Sequence, residues 1–304
     1  MAFNRIHTRE LPDGSIARVF PFHISLEGME SMLLCRDEED YDVLQKYFYV
    51  CSWVNNVIVV ADVEMSNHGH MVVLAEGLEQ ARNASAAIKK NHAQYVAFKY
   101  KEHNILARSD AKVIYLDSDW YLRNALAYVP RNALDTGSTI DGYKWSSYRA
   151  MFSTNPYGRY SRSVASLTRR EKEALFHTHA DLSGVPWRID GEGLLIPASA
   201  CEHRYAESAF NNDQAFFLKT IGNVNCAEME LKLITNPRER KSDTEFRKTA
   251  DELSRRWFNT AVPEMSLEMK TRLVPHLYRS YNTTVAQLAR CICLSKEQVK
   301  EILH

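Results

Sequence analysis

Residues 57–74 read VIVVADVEMSNHGHMVVL, and the fold turns on how this run is divided. Val57 to Val63 is a β-branched run of the kind that fills a buried strand. His68 to Leu74 reads as its neighbour, with Glu64-Met65-Ser66-Asn67 joining the two. A strand places side chains two apart on one face, roughly 6.5–7 Å from each other. His68 and His70 can therefore offer two imidazoles to a single ion. Imidazole suits zinc and other transition ions, and manganese in a mixed oxygen–nitrogen site. Alone, His-x-His is a weak sign, because core or surface histidines explain it at least as often.

Working outward, residues 17–26 alternate well enough for a first strand, in which Pro21 suggests an edge or a bulge. From Glu38 to Trp53 the apolar positions Tyr41, Leu44, Tyr47, Phe48 and Cys51 keep a helical period. A long helical stretch follows over 79–103, then a strand over 111–116. Asp117 and Ser118 are good caps for a helix carrying Leu122, Ala125, Leu126 and Val129. This order predicts an α+β domain over 1–155, an antiparallel sheet with helices packed against it.

Ser153 to Ser161 is turn-rich and polar, which marks a boundary. A mainly helical middle region is expected over 156–262. It holds a helix at 168–183, a small hairpin at 187–196 turning at Asp190-Gly191-Glu192-Gly193, and charged helical sequence over 203–258. In the last region, 263–304, Leu267–Ser280 is amphipathic. Thr284 with Gln287, and Ser295 with Gln298, fit the capping box. Two short helices joined by Cys291-Ile292-Cys293-Leu294 make a helix-turn-helix pattern, Cys293 standing where glycine is usual. Lys296, Glu297 and Lys300 then lie on the exposed recognition helix. A plain three-helix bundle that makes a homodimer is the competing reading.

The 38 Lys and Arg balance the 38 Asp and Glu, which argues against a protein that coats duplex DNA non-specifically. A local patch survives this balance. Lys89, Lys90, Lys99 and Lys101 belong to a basic run between Arg82 and Lys112, interleaved with Tyr95, Phe98 and Tyr100. Charge with aromatics suits a surface that tracks single strands; a solvated helix face is the alternative. The six cysteines form no Cys-x-x-Cys pair and read as reduced thiols. No run approaches the ~20 apolar residues that span a bilayer, and the first residues lack a signal-peptide core. The expectation is a cytoplasmic, nucleoid-associated protein with no membrane partner.

Tyr128 and Asn132 are four apart, so on a helix they share a face. Taken alone, Tyr128 reads as a core aromatic in the stripe of Tyr121 and Ala125. Its meaning changes with the order of motifs. Met65-Ser66-Asn67-His68-Gly69-His70-Met71 is followed by Tyr128-Val129-Pro130-Arg131-Asn132-Ala133, by Gly137, and by Tyr143-Lys144-Trp145-Ser146-Ser147-Tyr148. In this order, residues 15–152 resemble the single-tyrosine HUH transposases, particularly the REP-associated tyrosine transposases of bacteria. His23 also falls where the first strand of that family often carries a histidine.

The resemblance implies a ferredoxin- or RRM-like HUH core with Tyr128 as nucleophile. It also implies a divalent metal, Mg or Mn, held by His68, His70 and Asn132, and single-stranded or hairpin DNA as partner. Arg131, beside Asn132, joins the candidate DNA contacts. The implied activity is metal-dependent nicking and strand transfer through a 5′-phosphotyrosine intermediate. A domesticated, catalytically weak sequence-specific DNA-binding protein is the alternative. Three positions depart from the family pattern. Gly69 replaces a bulky apolar residue, Glu27 stands where arginine is commoner, and Pro130 within a helix costs ~3 kcal/mol unless the helix kinks.

Overall fold

Strand β2 (Ile16–Glu27) is the axis of the sheet. Along one side it pairs with β4 (His68–Ala75); on the other it pairs first with β1 (His7–Glu10) and then with β5 (Ala111–Tyr115), all antiparallel. Strand β3 (Ile58–Glu64) pairs with β4 and closes that edge. The computed structural model describes residues 4–27, 33–102, 111–158, 160–224, 243–281 and 283–303.

β1 is absent from the sequence expectation, and its presence explains Pro21. β2 is central rather than an edge, yet its pairing with β1 ends at Val19 and that with β5 begins at Phe22. The Pro21 carbonyl accepts from Leu116 N on the β5 side. In a strand a residue's N–H and C=O point the same way, so the missing N–H of Pro21 faces the gap between β1 and β5. No ladder bond is lost there.

Helices α1 (Glu38–Val54) and α2 (Leu78–Tyr100) cover one face of the sheet, and α3 (Asp119–Arg131) packs on the other. Asp37 caps α1 by accepting from Asp40 N, and Glu38, Glu39 and Asp40 oppose the positive end of its dipole. Ser118 caps α3 from its side chain, as the sequence suggests. The core under α1 and α2 joins Ile24, Met71 and Val73 of the sheet to Leu44, Phe48 and Ile88.

The structure forms two compact units, Met1–Met229 and Glu230–His304, where the sequence reading divides at 155 and 262. The reason is packing beyond the turn-rich stretch. Val164, Phe176, Val185 and Trp187 belong to the same core as the sheet, and Trp187 meets Tyr49 and Trp53 edge-on. Helix α4 (Arg169–Phe176) is shorter than expected, because His177 turns left-handed at φ 48°. Ile189 bridges Leu195 across the expected turn, yet β7 (Arg188–Ile189) also pairs with β6 (Arg162–Ser163). Helices α5 (Pro197–Ala200), α6 (His203–Ala209) and α7 (Gln214–Asn223) follow.

In the second unit, α8 (Asp243–Phe258), α9 (Leu267–Ser280), α10 (Val285–Ile292) and α11 (Lys296–Leu303) surround Phe246, Leu273, Leu277, Leu288, Ile292 and Val299. Ser295 and Gln298 complete a reciprocal capping box. Thr284 accepts from Gln287 N, while the Gln287 side chain turns to Thr283 and Asp243. Cys293, between α10 and α11, has φ 56° and ψ 56°, the conformation glycine usually supplies there. Among the described residues no helix is long and apolar enough to cross a membrane.

Candidate functional site

The alternation of β4 turns His68, His70 and Val72 away from the α1–α2 core and towards α3. In the β2–β4 register Ser25 lies opposite His70, which places Ser25 and its i−2 neighbour His23 on that same face. Helix α3 delivers Tyr128 and, at its C-cap, Asn132. The ring centroids of His70 and Tyr128 are 5.0 Å apart, edge to face, and those of His68 and His70 also 5.0 Å. His23 lies 5.3 Å from His70 and 6.1 Å from Tyr128. Four residues singled out from sequence, His68, His70, Tyr128 and Asn132, thus meet in one place.

Hydrogen bonding orients the donor atoms. Asn132 Nδ2 donates to the carbonyls of Tyr128 at 2.8 Å and Val129 at 3.2 Å, which directs Oδ1 outward to His68 Nε2, 3.2 Å away. His68 Nδ1 meets Asn67 Oδ1 at 2.7 Å. With Nδ1–H donated to Asn67, Nε2 carries a lone pair facing another acceptor. Two acceptors at this spacing are held together by a proton or a cation. Donors about 2.1 Å from a six-coordinate ion lie about 3.0 Å apart at right angles, so the spacing suits a shared ion. Asn67 then plays the part of the outer partner that fixes the tautomer of a metal-bound histidine. No three His, Cys, Asp or Glu side chains among the described residues are grouped to hold a metal ion. The donor set is instead two imidazoles and an amide oxygen.

Burial fixes the protonation states around this pair. His23 and His70 are buried, and desolvation lowers both pKa values, that of His23 to about 4 and that of His70 well below its usual range. The neighbouring His23 and His68 rings lower His70 further. Both rings are therefore neutral at pH 7, the form that offers a lone pair. His70 Nδ1, both nitrogens of His23, and Ser25 Oγ are buried without a hydrogen-bond partner. Such atoms are uncommon and cluster where a water, ion or substrate completes the set. Ser25 carries no signal in the sequence alone; only the β2–β4 register brings it here.

The departures from the family pattern have local explanations. A Cβ on Gly69 would sit 2.8 Å from Phe48 Cζ, so α1 fills the space that a bulky strand residue would otherwise occupy. Phe48 thus stands in for the bulky residue that Gly69 replaces. Pro130 lies in the last turn of α3, which tightens into a 3-10 turn over Asn132–Thr136. Tyr128 and Asn132 stay linked through the Nδ2 bond despite it. The side chain of Glu27 lies outside the described residues. The Trp145-Ser146-Ser147-Tyr148 run clips the free edge of β3: Glu64 N donates to Trp145 O, Val63 bridges Ser146, and Asp62 N donates to Ser147 Oγ.

The proposed DNA contacts do not gather at the histidines. Lys89, Lys90, Lys99 and Lys101 belong to the α2 side, across the sheet from Tyr128. Lys99 is held by Asp37, Glu39 and Asp40 at 2.7–2.9 Å, and its charge is neutralised within the protein. Tyr95 and Tyr100 bond Asp40, whereas Phe98 is 77% exposed beneath the Lys101 ammonium. Arg131 pairs with Asp135 at 3.4 Å. Lys112 is opposite Ser25 in register and so shares the histidine face, a placement the basic run did not reveal. Lys296 and Lys300 are exposed on α11, with Val299 buried between them. A cleft of about 890 Å³ runs past Lys144, Trp145, Tyr148 and Tyr157 and includes none of the histidines or Tyr128.

No family model matches the chain, and no curated protein does. A solved structure described as a REP-associated tyrosine transposase bound to a REP hairpin is similar over 49% of this chain and 84% of that one. The identity is 12% and the TM-score 0.33, too low for that likeness to decide fold or function.

Proposed function

We propose that the chain is a metal-dependent DNA strand transferase that nicks single-stranded or hairpin DNA and carries one end on Tyr128. The observation behind this reading is the convergence of His68 Nε2 and Asn132 Oδ1 at 3.2 Å, on the face where Tyr128 packs against His70. His68, His70 and Asn132 would hold a magnesium or manganese ion, whose positive charge would polarise the scissile phosphate. Tyr128 is 4% exposed, and an ordinary phenol has a pKa of ~10, so it reacts after losing its proton. Its Oη forms a bond to phosphorus, the P–O3′ bond breaks, and the departing 3′-oxygen takes up a proton. One phosphodiester is exchanged for another, so the step needs no ATP.

Residues 263–304 are read as a helix-turn-helix that holds duplex flanking the cut. The left-handed turn at Cys293 and the exposed Lys296 and Lys300 support this. The test is incubation with manganese and labelled hairpin DNA, followed by a denaturing gel. A covalent band is expected, absent in Tyr128→Phe while native-gel binding persists. An adduct that survives Tyr128→Phe overturns the nucleophile, and binding with no adduct at all favours a DNA-binding protein that keeps only the scaffold.

A further inference from the structure

We propose that His23 is a positioning residue of the metal site, hydrogen-bonded to a water on the ion rather than to the protein. The inference rests on the function proposed above and concerns a residue outside its ligand set.

His23 is wholly buried in the middle of β2, yet neither ring nitrogen has a partner. A neutral imidazole carries one donor and one acceptor, and leaving them unmet in the interior forfeits the hydrogen bonds that water would supply. An apolar side chain of similar size would fill the space without that cost. The ring stands between Val72 of β4 and Ile114 of β5 in register. It lies against His70 and Tyr128, the two groups that matter most to the proposed reaction. Ser25, two residues along the same face and opposite His70, has an unmet hydroxyl as well. Unpaired polar atoms from His23, Ser25 and His70 therefore share the face of the sheet that α3 covers.

Direct ligation by His23 is the less suitable role, since among the described residues no group of three His, Cys, Asp or Glu side chains converges closely enough to hold an ion. A six-coordinate magnesium or manganese ion with three protein ligands retains waters, and each water brings two hydrogens that need acceptors. A neutral imidazole beside the His70 ligand supplies one acceptor, and the Ser25 hydroxyl supplies another. Outer partners of this kind typically contribute 10–100-fold in metal affinity.

Manganese alone, titrated into the full chain and followed by the electron paramagnetic resonance of the free ion, tests this. The variants are His23→Phe, His23→Leu and His23→Gln, with His68→Ala as the ligand control; the metal-free melting temperature of each is measured in parallel. In His23→Phe and His23→Leu, manganese affinity is expected to fall 10-fold or more while the metal-free protein melts no lower than the wild type. His23→Gln keeps an amide acceptor and retains most of the affinity. A core role predicts the reverse, a lower melting temperature with unchanged affinity, and that result overturns the inference. Equal affinity in wild type and both apolar variants overturns it too, and leaves the proposed function standing. Should the wild type bind manganese no better than His68→Ala, the proposed function falls as well. If His23→Phe does not fold, His23→Leu carries the measurement.

Discussion

The two faces of the sheet bury polar side chains in different company. On the α1–α2 face, Asp62 and Glu64 are wholly buried and are answered largely from within, although Glu64 Oε1 has no hydrogen-bond partner. Tyr49 donates to Asp62 Oδ1 at 2.5 Å, and Gln45 Nε2 lies 3.3 Å from both Asp62 Oδ2 and Glu64 Oε2. The carboxyls also bond each other, with Glu64 holding the proton, because burial and then the neighbouring Asp62 push its pKa well above the usual range. On the α3 face, His23, Ser25 and His70 have unmet atoms, and His68 Nε2 meets Asn132 Oδ1. Unmet atoms on the α1–α2 side, Glu64 Oε1, Ser52 Oγ and Ser85 Oγ among them, come from separate elements. On the α3 face they belong to the residues beside the histidine pair.

The sharpest way to break this contrast is to remove a proposed ligand. His68→Ala is expected to lower manganese affinity by more than roughly 100-fold and abolish the covalent DNA adduct, with a small change in melting temperature. Calorimetric titration and the denaturing gel check it. A marked fall in melting temperature with metal binding intact would return the α3 face to ordinary core.

Asn132→Ala is the next largest, with manganese affinity expected to drop 10–100-fold. The loss of its bonds to the Tyr128 and Val129 carbonyls adds about 1 kcal/mol of destabilisation, read by urea titration. Gly69→Val probes the boundary between the faces. Its Cβ would collide with Phe48 Cζ and cost about 1–3 kcal/mol, while the double variant with Phe48→Ala is less destabilised than the sum of the two single changes. Strict additivity would show that the close approach has no energetic meaning.

The α1–α2 face is tested by Glu64→Gln, with a smaller effect that depends on pH. The folded pKa of Glu64 is raised above the unfolded value, so the folded state holds the proton more tightly. Its contribution is complete below the ordinary carboxylate range and is lost as pH rises towards the folded pKa. Wild type and Glu64→Gln should therefore be similar near pH 4, and the variant should melt higher at pH 8. A variant that is less stable at pH 8 would mean that the ionised carboxylate has an unseen partner. Smallest of all, Lys99→Ala should reduce stability by ~1 kcal/mol without weakening single-strand binding, since its ammonium is already neutralised. Filter binding and thermal melting separate the two.

Local pattern carried much of this to the sequence reader. The β-branched run before the histidines, the period of α1 and the Ser118 cap are short-range signals, and each element falls where its residues place it. What depends on register or distant packing was not legible. Ser25 joins the histidine face because of how β2 pairs with β4, and nothing in residues 17–26 encodes that partner. Trp187 extends the first unit because it finds Tyr49 and Trp53, more than a hundred residues earlier in the chain. Lys99 looked like a free cation because Asp37, Glu39 and Asp40 are remote in sequence. The mutual reliance of Gly69 and Phe48 was hidden for the same reason.

Asn132 has a mechanical consequence. Its amide nitrogen is tethered to the Tyr128 and Val129 carbonyls while its oxygen faces His68. Nucleophile and amide donor thus ride on one short lever, and the two imidazoles stay behind in the sheet. Were α3 exchanged between two copies of the chain, it would travel as a cartridge, carrying both groups together and leaving behind a socket made of His68 and His70.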